Sequence, residues 1–211
     1  MLFFARQKLV FLSVPKTGTT AYQAALAPLA SMVVSDPPEL KHAPVFRYNR
    51  FFRPALEKFV GPDLTVLAVM RAPIDWLGSW YRYRQREALE GHANSTRGVS
   101  FDAFVEAYLR PDPPAFAVVG SQAKFLEPQR NGTAVTHLFR YEDQEGLRAF
   151  LESRLGCEIA PPRRNASPAE PATLSPDVEA RLRRKYAADF TLYDGIGPDG
   201  RYTPPPPLGS G

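Results

Sequence analysis

A single cysteine, Cys157, stands among 211 residues, so no disulfide can close within the chain and no multi-cysteine metal site can be built. A buried, inert thiol is the expected state of that residue. The three histidines, His42, His92 and His137, show no close metal-ligand spacing. No apolar stretch reaches the ~20 residues that cross a bilayer, so no membrane span is expected. Internal repeats are missing too, which removes repeat architectures from consideration. Charge of one sign is in small excess, a net +4, which favours anionic ligands only weakly. Much of it lies in Arg82-Tyr83-Arg84-Gln85-Arg86 and Arg181–Lys185, clusters that read as solvated helix faces. With no recognised nucleic-acid module beside them, no nucleic-acid partner is expected.

What the chain has is an ordinary apolar fraction, 44%, and enough length for one α/β domain over residues 1–203 with a real core. The tail Pro204–Gly211, rich in proline and glycine, reads as extended or flexible. The apolar run Leu9–Val14 predicts a strand, Pro15-Lys16-Thr17-Gly18-Thr19-Thr20 a tight loop, and Ala21–Leu29 a helix. The first amides of a helix lack intrahelical partners and carry partial positive charge, so such a loop attracts phosphate or sulfate. Lys16 adds a mobile cation, Gly18 lets backbone approach closely, and Thr19 and Thr20 add hydroxyl donors. The loop is not a Walker A sequence, because its lysine precedes its only glycine.

A second strand-to-helix junction follows. Leu64–Met70 is a near-continuous apolar run suited to a strand buried on both faces. It ends at Arg71, and Pro73 opens a helix expected to run through about Glu90. Arg71 offers a planar fork for phosphate, and Ser79, eight positions on, a directional hydroxyl. Each segment also has a plain reading: a turn with a solvated lysine, a salt-bridged arginine, a serine on a helix face.

Taken together, the two segments resemble the 5′-phosphosulfate loop and the 3′-phosphate motif of sulfotransferases, which use 3′-phosphoadenosine 5′-phosphosulfate (PAPS) as sulfuryl donor. One position departs: where the family often has R-D-P, Ala72 replaces the aspartate. The resemblance extends, less specifically, through Leu138–Asp143, Leu155-Gly156, Arg164-Asn165-Ala166-Ser167 and Leu182–Tyr193, as in the bacterial and carbohydrate-type branch. It implies a three-layer α/β/α fold with a central, mainly parallel sheet and a P-loop-like phosphosulfate-binding loop. It further implies that Pro15, Lys16, Thr17, Gly18, Thr19 and Thr20 hold the phosphosulfate, that Arg71 and Ser79 hold the 3′-phosphate, and that Arg163 or Arg164 covers the nucleotide. Many cytosolic relatives have a tryptophan after the loop where this chain has Ala21 and Tyr22, which leaves the adenine's stacking partner open.

Sulfuryl transfer resembles phosphoryl transfer, so positioning and charge stabilisation should dominate, with Lys16 on the leaving phosphate. A base must take the acceptor's proton. His42, in Glu39-Leu40-Lys41-His42-Ala43-Pro44, occupies a position similar to the Lys-His segment of several family members and is the candidate. Glu39 and Glu142 are the fallbacks, and His92 and His137 rank below His42. No metal is required by this reading. The resemblance implies a hydroxyl or amine acceptor such as a saccharide, lipid or small molecule. Phe46, Tyr48, Phe51 and Phe52 could line its pocket, although core is the favoured reading for them. Met1–Lys8 runs straight into the first strand, and its removal as a leader would destroy the loop, so cytoplasmic residence is expected. Two alternatives stay open: an ATP-dependent kinase-type phosphotransferase, and a non-catalytic nucleotide-binding protein of the same fold.

Overall fold

A computed structural model describes residues 1–160 and 173–203. Where the sequence reads as one domain over 1–203, these residues divide into two compact units, each with its own core. The first takes in residues 1–71, 122–160 and 195–203; the second, 72–121 and 173–194. Arg163, Arg164, the Asn165-Ala166-Ser167 segment and the tail 204–211 lie outside the described residues.

The first unit is built on a five-stranded sheet in the order β3-β1-β2-β4-β5. Its strands are β1 (Leu2–Phe4), β2 (Leu9–Phe11), β3 (Met32–Val33), β4 (Thr65–Met70) and β5 (His137–Arg140). β2, β4 and β5 pair in parallel, Phe11 opposite Leu67 and Met70 opposite Arg140, whereas β1 is antiparallel to both β2 and β3. Parallel strands must be covered on both faces, and the run Val66–Met70 is buried throughout. Leu9, Leu67, Leu147 and Leu151 are fully buried in one cluster with Leu2, Phe4 and Phe139. Each such leucine stabilises the fold by roughly 1.5–3 kcal/mol relative to its exposed state.

Helices α1 (Thr19–Leu26), α2 (Pro38–Lys41), α3 (Val45–Arg47) and α4 (Arg53–Val60) lie between β2 and β4. Tyr48–Phe52 joins α3 to α4 as a π-helical turn, in which the Arg53 N–H donates to the Tyr48 carbonyl five residues back. The aromatic residues of this stretch therefore split. Tyr48 is buried as core, while Phe46 and Phe51 face solvent at 47% and 58% exposure.

The second unit opens with α5 (Pro73–Arg84) and continues through α6 (Phe101–Tyr108). α7 (Gln122–Phe125) and α8 (Gln144–Leu155) return to the first unit, and α9 (Pro176–Lys185) and α10 (Ala187–Asp194) complete the second. α5 stops short of the expected Glu90. Its last residue, Arg84, is buried and donates to the carbonyls of Ala115 and Val118 at 3.0 and 2.8 Å. The caps of α6 and α8 are local: Ser100 Oγ accepts from the Ala103 N–H and Asp143 Oδ1 from the Gly146 N–H. Trp76, Leu77, Phe104, Val105, Val178 and Leu182 form this unit's core. No helix among the described residues is long and apolar enough to cross a membrane.

Candidate functional site

Because β2, β4 and β5 point the same way, their carboxyl ends share one edge of the sheet. That edge is where ligands bind in open α/β sheets. Three sequence-predicted features of the first unit meet there by topology: the loop after β2, Arg71 after β4 and the Tyr141 turn after β5.

The loop takes its shape from two left-handed residues, Lys16 (φ 66°) and Gly18 (φ 73°). Glycine adopts that conformation readily, but a lysine there is uncommon and strained by about 1 kcal/mol or more. Thr17, almost fully buried, donates its hydroxyl to the Val14 carbonyl at 2.9 Å, and Thr19 approaches the same oxygen at 3.5 Å. These two hydroxyls thus tie the loop to itself. Thr20 is exposed. Gly18 caps α1 and, having no side chain, takes none of the first-turn amides. A left-handed residue followed by a helical one turns successive N–H groups toward one concavity, an arrangement suited to an anion.

Two basic side chains reach this loop from the end of α2. The imidazole Nδ1 of His42 lies 2.7 Å from the carbonyl oxygen of Ser13, and Lys41 Nζ donates to Thr20 Oγ1 at 3.5 Å. α2 is held in turn by the chain's amino group, which donates to the carbonyls of Val34 and Lys41 at 3.0 and 3.1 Å. A carbonyl accepts only from an N–H, so His42 carries its proton on Nδ1 and presents Nε2 as the basic nitrogen. Burial pushes the His42 pKa down; the Ser13 hydrogen bond opposes this, and the charges of Lys41 and the amino terminus add to it. At neutral pH the ring is the neutral, proton-accepting form.

Arg71 is fixed twice. Its backbone N–H donates to Gln122 Oε1 at 3.0 Å, and its carbonyl accepts from Gln122 Nε2 at 2.8 Å, with Gln122 fully buried. The guanidinium lies over the Tyr141 ring, 4.5 Å from its centroid. Ser79 sits half-buried on α5, in the second unit, whereas Arg71 is the first unit's residue. Tyr22 turns inward: its ring is buried edge-on against Phe11, and its hydroxyl donates to Gln144 Oε1 at 3.2 Å. It is core and offers no open face for stacking.

The other histidines go elsewhere. His137 packs on Phe150 within β5's surroundings and contacts the Thr136 hydroxyl at 3.1 Å; His92 is exposed. Gln122 escaped the sequence reading, and Lys41 and Tyr141 stood in quoted motifs without a contact of their own. Lys41 was visible as the neighbour of His42, but no pattern signals that a terminal helical residue will bend toward Thr20. Gln122 and Tyr141 act across the fold on Arg71, a relation invisible in linear spacing.

No family model matches the chain, and no curated protein matches it.

Proposed function

We propose that the chain is a sulfotransferase that moves the sulfuryl group of PAPS in line onto a hydroxyl or amine acceptor. The observation that carries this reading is the contact of His42 with Ser13: a neutral imidazole set against the first residues of the loop that resembles a phosphosulfate cradle. In this account the α1 amides at Thr19 and Thr20 and the Gly18 turn receive the phosphosulfate oxygens. Lys16 neutralises the leaving 5′-phosphate, and Lys41 supplies a second cation beside Thr20. For Thr17 and Thr19 the contribution is the backbone, because their hydroxyls are spent on Val14. The three-layer arrangement and the P-loop-like character of the loop belong to the same proposal.

The acceptor oxygen attacks sulfur and forms the new S–O bond. The bond from sulfur to the bridging oxygen breaks, that oxygen leaving with 3′,5′-adenosine bisphosphate. His42 Nε2 takes the acceptor's proton. The roles of Arg71 and Ser79 at the donor's 3′-phosphate rest on the motif in the sequence. The Gln122 clamp and the Tyr141 face support Arg71 as a preorganised guanidinium. Cytoplasmic residence belongs to the same reading.

The test is transfer of labelled sulfuryl from PAPS to pooled metabolites, saccharides and lipids, with products identified by mass. Labelled product that disappears with His42→Ala is expected. Bisphosphate binding without transfer would favour a non-catalytic nucleotide-binding protein, and magnesium-dependent ATP turnover a kinase.

A further inference from the structure

The run from α3 through the π-helical turn to α4 buries Val45 and Tyr48 but turns Phe46, Phe51 and Phe59 to solvent, which a helix that only packs on a core does not do. Its solvent-facing positions are Phe46, Arg50, Phe51, Pro54, Ala55, Lys58 and Phe59. They recur at the three- to five-residue steps that mark one helical stripe. The π-turn contributes: five-residue hydrogen bonding brings residues five apart, such as Phe46 and Phe51, nearer to one face than an α-helix would. Phe59 is 82% exposed, more than either of the others. The charges at these solvent-facing positions are all positive, and the run's one carboxylate, Glu57, is partly buried and held by Arg53 at 2.7 Å. Guanidinium groups lie beside the rings, Arg47 5.6 Å from the Phe46 centroid and Arg50 5.4 Å from that of Phe51.

Isolated exposed apolar residues need no explanation, but a stripe of protruding aromatics whose exposed charges are cationic points to a counterpart that is both apolar and anionic. We propose that this face docks the protein on an anionic lipid surface. Phe46, Phe51 and Phe59 enter the headgroup–acyl boundary, while Arg47, Arg50 and Lys58 engage lipid phosphates. A lipid interface receives separate protruding rings without a shape-matched groove, and its negative charge complements a stripe that carries only positive charge. This inference stands independently of the sulfotransferase reading.

The experiment is co-sedimentation of the full chain with vesicles of phosphatidylcholine alone and with roughly one-third phosphatidylserine. Binding to the anionic vesicles about tenfold or more above the neutral ones is expected, weakening as salt rises. Phe46→Ser, Phe51→Ser and Phe59→Ser combined should reduce it at least about tenfold. Because all three side chains are solvent-exposed, the thermal midpoint should stay within a few degrees of the parent, which separates lost docking from lost folding. Arg50→Glu with Lys58→Glu should abolish the preference for anionic lipid. Equal binding to neutral vesicles, no binding to either, or full retention by the triple variant overturns the proposal. So does a dimer in solution that the triple variant makes monomeric, which would assign the stripe to a second copy of the chain.

Discussion

The imidazole of His42 and the carbonyl of Ser13 meet at 2.7 Å, joining the end of α2 to the start of the loop that precedes α1. One contact thereby sets the ring's tautomer, its orientation and its distance from the loop. Replacing His42 by alanine should leave affinity for 3′,5′-adenosine bisphosphate within about threefold while lowering turnover by 10²-fold or more, the usual range for a general base. Calorimetric binding and single-turnover kinetics check the two halves separately. Unchanged turnover would remove His42 from the role of base.

The pH dependence follows from burial. The folded-state pKa of His42 lies below its ordinary value of 6.5. The ring thus stays neutral at pH values where the unfolded chain is already taking up a proton. Stability referable to His42 is intact above about 6.5 and is lost as pH falls through the folded value. The acid limb of kcat/KM should likewise fall below 6.5, and His42→Ala should erase it. A limb at or above 6.5 would contradict this assignment.

Gly18 sits at φ 73° as the residue that opens α1. A side chain in that conformation costs about 1–2 kcal/mol. Gly18→Ala should lower the thermal midpoint and weaken bisphosphate binding by about tenfold or more, because the strain is relieved only by moving the loop amides.

Thr17 separates loop integrity from ligand contact. Its hydroxyl is buried on the Val14 carbonyl at 2.9 Å. Thr17→Val keeps the shape and removes that hydrogen bond, for an expected loss of about 1 kcal/mol in denaturant titration. If the hydroxyl instead contacted ligand, affinity would fall with stability unchanged.

Arg71→Lys tests the preformed guanidinium. A lysine keeps the charge but loses the planar stack on Tyr141 and the fork of donors. Affinity for 3′,5′-adenosine bisphosphate should drop by about tenfold or more, while affinity for adenosine 5′-phosphate, which lacks the 3′-phosphate, should change little. Equal losses for both nucleotides would place Arg71 away from the 3′-phosphate.

The sequence disclosed what long patterns disclose. β4 and the start of α5 were legible because a buried parallel strand is a continuous apolar run and proline marks the first helical turn. β1 was not: three residues, Leu2–Phe4, are too few for a period, and they form a strand by pairing with β2 and β3. The front half of the Val45–Val60 run was hidden because Phe46 and Phe51 look like core and face solvent. α10 was legible only as part of the Leu182–Tyr193 resemblance, since Ala187–Asp194 has little sidedness and its Asp189, a buried carboxylate, accepts from the Ser121 hydroxyl at 2.7 Å. At the candidate site, the loop and Arg71 stood out by residue type and spacing. Lys41, Gln122 and Tyr141 act through contacts that only the folded chain brings about.

The central claim is a nucleotide site that recognises a 3′-phosphorylated, 5′-anionic adenosine. Isothermal titration of the intact chain with 3′,5′-adenosine bisphosphate tests it most directly. Saturable binding that needs no magnesium and exceeds that of ATP is the predicted result. No binding, or magnesium-dependent preference for ATP, would contradict it.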